Sequence, residues 1–282
     1  MKIAISAEST IDLTKELIKE YSISIVPFQV FLGDEMKQDG EVTVDEIIEF
    51  VNRTKILPKT GAVNEFQFDE YFSGLLKDND AVVHFSLSSE LSCTYANAVR
   101  SAQKFKNVYV VDTKSLSTGI ALLAIYGAEL VKKGEDAKEI YEKCLERVPF
   151  VQASFELKRL DYLHKGGRCS ALALFGANLL KIHPQIIVKD GKMVPGKKYR
   201  GSFEHVVKNY CQDTLQMFDN PDLSVAFVTY TTADESVINT ARSFLEQTGF
   251  KKIYVTRAGG TITSHCGEDC LGILYINDGG RD

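Results

Sequence analysis

Two spacings of apolar residues alternate along the first half of the chain. Ile3 to Ser6 and Ala81 to Phe85 are short, largely apolar runs, the pattern of strands covered on both faces. Elsewhere apolar residues return every three or four positions, the helical period. Leu13, Leu17, Ile18 and Tyr21 predict a helix from Thr10 to Tyr21. Thr43 opens a second, with Glu46 as its capping-box partner and Ile47, Ile48 and Val51 on one face. Asn64 opens a third, with Phe68, Tyr71, Phe72, Leu75 and Leu76 as its buried stripe. Ile23 to Phe31 reads as one apolar, β-branched run, and Pro58 and Gly61 bracket a loop that holds Thr60. Strand 81–86, helix 91–103, strand 107–111 and helix 116–132 complete the alternation. Strands separated by helices of this length predict βαβ units and a parallel sheet.

After Gly134 the pattern changes. A helix over 136–147 ends at Pro149, and Val151 to Glu156 reads as a strand. Two strand-like runs, Gln185 to Lys189 and Lys192 to Val194, flank Asp190-Gly191, a strong hairpin signal. Val225 to Tyr230 is a strand. Thr232 with Glu235 predicts the cap of a helix carrying Val237, Ile238, Ala241, Phe244 and Leu245. Lys252 to Arg257 and Leu271 to Ile276 close the chain as strands. The expected fold class is α/β in two domains: an N-terminal parallel α/β/α sandwich over 1–148 and a C-terminal mixed α+β domain over 149–282. The loop and helix near 58–78 are expected to pack with the second domain, with a ligand at or near the interface.

Composition narrows the function. The 282 residues carry a net charge of −5, which argues against a nucleic-acid partner, since such proteins usually show a basic stripe. No run approaches the length of apolar residues that spans a bilayer, and the chain starts directly on a strand-like segment without a leader pattern. A cytoplasmic location is expected. The six cysteines, Cys93, Cys144, Cys169, Cys211, Cys266 and Cys270, are then expected to be thiols. His265-Cys266-Gly267-Glu268-Asp269-Cys270 lacks the second Cys/His pair of a zinc site, so no metal and no cofactor is expected.

One stretch stands out for chemistry. Strand 81–86 feeds Ser88-Ser89-Glu90-Leu91-Ser92-Cys93-Thr94-Tyr95, so a helix start is crowded with hydroxyls. Helix N-termini present free N–H groups and positive dipole character, and hydroxyls without lysine suit a small anion such as a carboxylate. With Ser86 at the strand end, Ser88, Ser89, Ser92 and Thr94 make five hydroxyls, of which a single helix cap would use one. Asp112 to Gly119 forms a similar strand end, expected to shape the site without touching ligand. Lys165-Gly166-Gly167-Arg168 aims a fixed cation, read equally well as a helix end with a solvated arginine. His265 follows a Gly/Thr-rich approach, either orienting a neighbouring group or sitting on a surface loop. Ser264 beside His265 lacks the Gly-x-Ser-x-Gly context of a hydrolase. The apolar stretches Ala171 to Leu180 and Ile120 to Leu130 are core, or else tunnel walls for an acyl chain.

Together and in order, these motifs resemble the DegV family of bacterial fatty-acid-binding proteins. The likeness lies in Glu8-Ser9-Thr10-Ile11-Asp12-Leu13, Ser88 to Tyr95, Asp112 to Gly119, Leu160 to Ser170, Tyr199-Arg200-Gly201 and His265-x-Gly267. The resemblance implies two α/β-type domains enclosing a long-chain fatty acid, with Thr60, Ser92, Arg168 and His265 around its carboxylate. It also implies a partner, a fatty acid kinase that makes acyl phosphate for phospholipid synthesis, with Arg200 in the docking surface. The carrier itself would perform no catalysis, and a transient membrane contact during exchange is compatible with it. Departures include Glu8 for Asp, Cys93 for Gly, Gly61 in a hydroxyl-rich loop, and Glu268-Asp269-Cys270 in a small, uncharged run. Two carboxylates facing inward would repel a carboxylate ligand, which keeps a different carboxylate or polar lipid as an alternative. A kinase-like phosphotransfer enzyme is the other, disfavoured by the missing P-loop.

Overall fold

The computed structural model describes residues 1–169 and 182–280. The chain opens with β1 (Ile3–Glu8), a 3-10 turn at Ser9–Ile11, α1 (Lys15–Glu20), β2 (Ile23–Val26), β3 (Gln29–Leu32), β4 (Glu35–Gln38) and α2 (Val44–Thr54). It continues through β5 (Lys59–Gly61), α3 (Glu65–Leu75), β6 (Ala81–Ser86), α4 (Thr94–Ala102), β7 (Val108–Asp112), α5 (Thr118–Lys133) and α6 (Ala137–Arg147). Next come β8 (Val151–Leu157), α7 (Asp161–Gly166), β9 (His183–Lys189), β10 (Lys192–Tyr199) and α8 (Phe203–Met217). The chain closes with β11 (Val225–Tyr230), α9 (Glu235–Thr248), β12 (Lys252–Arg257), α10 (Gly260–Cys266) and β13 (Cys270–Ile276).

The expected parallel sheet is present, in the order β2-β1-β6-β7. A mixed sheet, β10-β9-β8-β13-β11-β12, holds the later strands, with only β11 and β12 parallel. A small antiparallel sheet, β4-β3-β5, stands apart from both. Helix α5 explains how the two main sheets share a core. It packs on β1 and β6 from one side and on β8, β11 and β13 from the other. Its residues Thr118 to Ile125 are all buried. At Gly127 a β-carbon would lie 2.8 Å from the Phe85 ring, so the close approach of helix and sheet requires glycine. Ile120 to Leu130 is thus core; the other stretch, Ala171 to Leu180, lies outside the described residues.

Several expected elements differ in extent. The helix foreseen from Thr10 is broken, because Asp12 takes a left-handed conformation and α1 starts only after the Thr14 cap. Pro27, which cannot donate to a ladder, splits the apolar run 23–31 into strands of two different sheets. The loop holding Thr60 is β5, paired with β3. The capping box at Thr43 closes through Glu46 as expected, and Asn64 at the start of α3 closes a further one through Gln67. Thr232 does not cap α9: Asp234 occupies that position, and the Thr232 hydroxyl bonds Asp269 instead.

The outer face of the mixed sheet packs against α8 and α9 and holds a buried carboxyl, Glu156. Neither of its oxygens has a hydrogen-bond partner among the described residues, and burial drives its pKa well above the ordinary value. A raised folded pKa stabilises the fold fully below the ordinary carboxylate range, and that contribution is lost as pH rises toward the folded value. Glu156→Gln keeps the shape and removes the titration. The variant should match the parent near pH 4 and exceed it at pH 8, by about 1.4 kcal/mol for each pH unit over which the folded parent holds its proton and the unfolded chain does not. Urea unfolding at the two pH values measures this; a variant weaker at pH 8 would contradict it.

Candidate functional site

A cavity of about 200 Å³ lies where the strand ends of the parallel sheet meet β5 and α10. Thr60, Ser92, Arg168 and His265, which are far apart in sequence, all line it. Its apolar wall includes Phe28, Ala62, Leu87, Leu91, Met193 and Ile262. A smaller cavity of about 30 Å³ lies beside it, sharing Leu116, Ile262 and Cys266 in its lining and reaching Phe155 and Leu274 of the mixed sheet.

The polar end is built from two short elements. Thr60 is the middle residue of β5, paired with Val30, and its Oγ1 lies 2.9 Å from His265 Nε2 in the last turn of α10. The end of α7 lies directly against the imidazole: a β-carbon on Gly166 would be 2.8 Å from His265 Nδ1. Gly167 then takes the left-handed conformation that ends α7, and the Arg168 guanidinium donates to the Gly166 carbonyl at 2.6 Å. Burial, with Arg168 adding to it, pushes the His265 pKa down to about 4. His265 is therefore neutral at physiological pH, and Arg168 is the cation among these four residues. Nδ1 of His265 is buried without a protein partner among the described residues.

The hydroxyl-rich turn divides its donors, which the sequence did not reveal. Glu8 is fully buried and accepts from His84 Nε2 at 3.2 Å, Ser86 Oγ at 2.8 Å, the Leu87 N–H at 2.9 Å and Thr94 Oγ1 at 3.1 Å. Two of the five hydroxyls thus serve an internal carboxylate. Ser88 donates to the Gly191 carbonyl at the tip of the β9–β10 hairpin, 2.8 Å away, and Ser89 accepts from Lys114. Ser92 alone of the five lines the cavity. Its Oγ accepts from the Thr94 N–H at 3.2 Å, so the hydroxyl proton is uncommitted among the described residues. Four of the five hydroxyls also precede the helix, because Leu91 and Ser92 fold back onto the Ser88 carbonyl and α4 begins only at Thr94.

The Gly/Thr-rich approach to His265 forms a helix, α10. Two carboxylates from the first layer take up its free N–H groups. Asp12 accepts from Gly259 at 2.7 Å and from Ser117 at 2.5 Å. Asp39 accepts from Gly260 at 2.7 Å and Thr261 at 3.2 Å. Burial, opposed by these hydrogen bonds and reinforced by Asp39, pushes the Asp12 pKa up to about 8. Asp39 carries no local signal in the sequence; its role depends on a partner 221 positions away.

Ser117 bonds Asp12 and Thr113 bonds the Ser86 carbonyl, so the second strand end serves structure, and Leu116 adds a wall residue. Arg200 is exposed just after β10 and does not line the cavity. Cys93, exposed, lies at the cavity edge. Glu268 and Asp269 are turned elsewhere: Asp269 pairs with Lys158 at 2.6 Å and Glu268 with Arg159 at 3.4 Å. The repulsion that motivated a different ligand is therefore absent from the cavity lining.

Comparison with known proteins adds the relatives. The family model described as an uncharacterised protein of the DegV family matches residues 2–278. A fatty acid-binding protein of Thermotoga maritima is 31% identical, with 96% of each chain covered. A crystal structure of a DegV lipid-binding protein from Thermotoga maritima superposes with a TM-score of 0.84 at 28% identity, covering 98% of this chain and 99% of that one. A fatty-acid-binding DegV family protein from Thermus thermophilus shares the fold with a TM-score of 0.91 at 24% identity, covering 98% and 100%.

Proposed function

The chain belongs to the DegV family, and from that premise we propose that it binds a long-chain fatty acid in the cavity beside α10. The observation that carries this reading is one cavity with apolar walls and a single polar end, made by Thr60, Ser92, Arg168 and His265. The acyl chain runs along the apolar wall toward the smaller cavity behind Leu116. Arg168 offsets the carboxylate charge, Ser92 donates its free hydroxyl proton, and Thr60 with neutral His265 completes the hydrogen bonds. The names of relatives as fatty acid- and lipid-binding proteins support the ligand class.

The bound acid is presented, head group outward, to a fatty acid kinase that forms acyl phosphate for phospholipid synthesis. Arg200 contributes to that docking surface, and the protein performs no chemistry on its ligand. It works in the cytoplasm, with the boundary between its two domains near residue 148. Resemblance to the family supports these finer points.

Ser92→Ala tests the polar end. A hydrogen bond to a charged group is worth about 1.5–3 kcal/mol, so palmitate affinity should fall roughly 10- to 100-fold with the fold unchanged. Titration with a fluorescent fatty acid displaced by palmitate measures it; an unchanged affinity removes Ser92 from the site.

A further inference from the structure

Helix α10 ends on a thiol, Cys266, and a short link, Gly267 to Asp269, returns the chain to a second, Cys270, at the start of β13. The link is tightly held. Gly267 and Asp269 both take positive φ, and a β-carbon on Gly267 would lie 2.7 Å from the Tyr162 ring. Asp269 is bonded by Lys158 at 2.6 Å, and the Cys270 N–H donates to Thr231 Oγ1 at 3.2 Å. Cys266 and Cys270 are only 3% and 6% exposed, and their side chains are hydrogen-bonded to each other. Both line the small cavity of about 30 Å³, and Cys266 also lines the ligand cavity. A buried cysteine packs as a small hydrophobe, which accounts for each sulfur singly. It does not account for two sulfurs in contact on the wall of a ligand space.

Two sulfurs in hydrogen-bond contact need only a small approach to join. We propose that Cys266 and Cys270 are a peroxide-reactive dithiol, which closes to a disulfide while the ligand cavity is empty and is shielded when an acyl chain fills it. The hydrogen bond with Cys266, and then burial, drive the Cys270 pKa well above the ordinary thiol value, so Cys270 keeps its proton. Cys266, the thiol that meets the ligand cavity, is the attacking sulfur. It bonds to one oxygen of hydrogen peroxide as the O–O bond breaks, leaving a sulfenic acid and releasing one water. The Cys270 sulfur then displaces the sulfenic hydroxyl, forming the S–S bond and releasing a second water. The two thiols lose two electrons and the peroxide gains them. Hydrogen peroxide is little larger than water, and even the cavity of about 30 Å³ has room for it. An acyl chain along the apolar wall covers the Cys266 sulfur, so occupancy decides whether the oxidant arrives. That dependence on occupancy rests on the carrier reading above.

The test exposes the reduced, lipid-free full chain to hydrogen peroxide, alone and with palmitate at roughly 100 times its Kd. Both cysteines fall in one tryptic peptide, Ala258 to Arg281, so closure reads in mass spectrometry as the loss of two hydrogens and of both alkylation sites. With about one molecule in a hundred left empty, palmitate should slow closure by roughly 100-fold. Glutathione disulfide, too bulky for a cavity of about 200 Å³, should leave both thiols reduced. No closure in the empty chain, equal rates with and without palmitate, or closure by glutathione disulfide at the peroxide rate would overturn the proposal. Palmitate binding is measured separately, on the reduced chain. A chain that binds palmitate and still oxidises at the unloaded rate defeats the proposal and leaves the carrier reading standing. A chain that binds no palmitate defeats the carrier reading, while closure or its absence in the empty chain still decides the dithiol.

Discussion

Glu8→Ala should cost about 3–5 kcal/mol of folding stability, the range for removing one member of a buried, hydrogen-bonded polar cluster. The carboxylate is fully buried and satisfies four donors at once, from His84, Ser86, Leu87 and Thr94. Alanine leaves all four without it, in a site that water does not reach. His84 is also held by Ser6 at 2.9 Å, so the loss spreads across β1 and β6. The effect should reach the ligand, because Leu87 lines the cavity and Thr94 begins the helix behind Ser92. Urea unfolding followed by far-ultraviolet circular dichroism measures the cost. A loss under about 1 kcal/mol would mean that the cluster contributes no more than an ordinary hydrogen bond.

The second large effect concerns the apolar wall. Ala62 lines the cavity two residues beyond Thr60. An indole there would fill most of a space of about 200 Å³ and leave the polar end in place. Each buried methylene contributes about 0.8 kcal/mol, so displacing four to six of them removes about 3–5 kcal/mol of binding. Ala62→Trp should therefore lower palmitate affinity by roughly two to four orders of magnitude. Its thermal midpoint should hold, since the ring fills space instead of overpacking the core. A variant that folds and still binds palmitate like the parent would place the acyl chain elsewhere.

Much of the architecture was legible because its strands are strongly patterned. β6 and β11 are largely apolar runs of six residues flanked by turn signals, and both form where the pattern put them. The four positions proposed to bind the carboxylate came from motif resemblance, and they line one cavity. What stayed hidden shares a cause: it depends on partners distant in sequence. Helix α10 has poor intrinsic propensity and exists where Asp12 and Asp39 meet its first N–H groups. Ser86 and Thr94 looked like ligand donors until Glu8, 78 and 86 positions away, claimed them. The split of residues 23–31 was foreseeable from Pro27 alone. Glu268 and Asp269 looked hostile to an anion in sequence, and the basic pair Lys158-Arg159 draws them away.

The account turns on whether this cavity holds an acyl chain. The direct measurement is mass spectrometry of organic extracts from the purified full-length protein, before and after loading with palmitate, with Ala62→Trp alongside. The account predicts near-stoichiometric long-chain fatty acid in the wild type and almost none in the variant. A wild-type protein that carries no acyl chain from cells and takes up none on loading would contradict it.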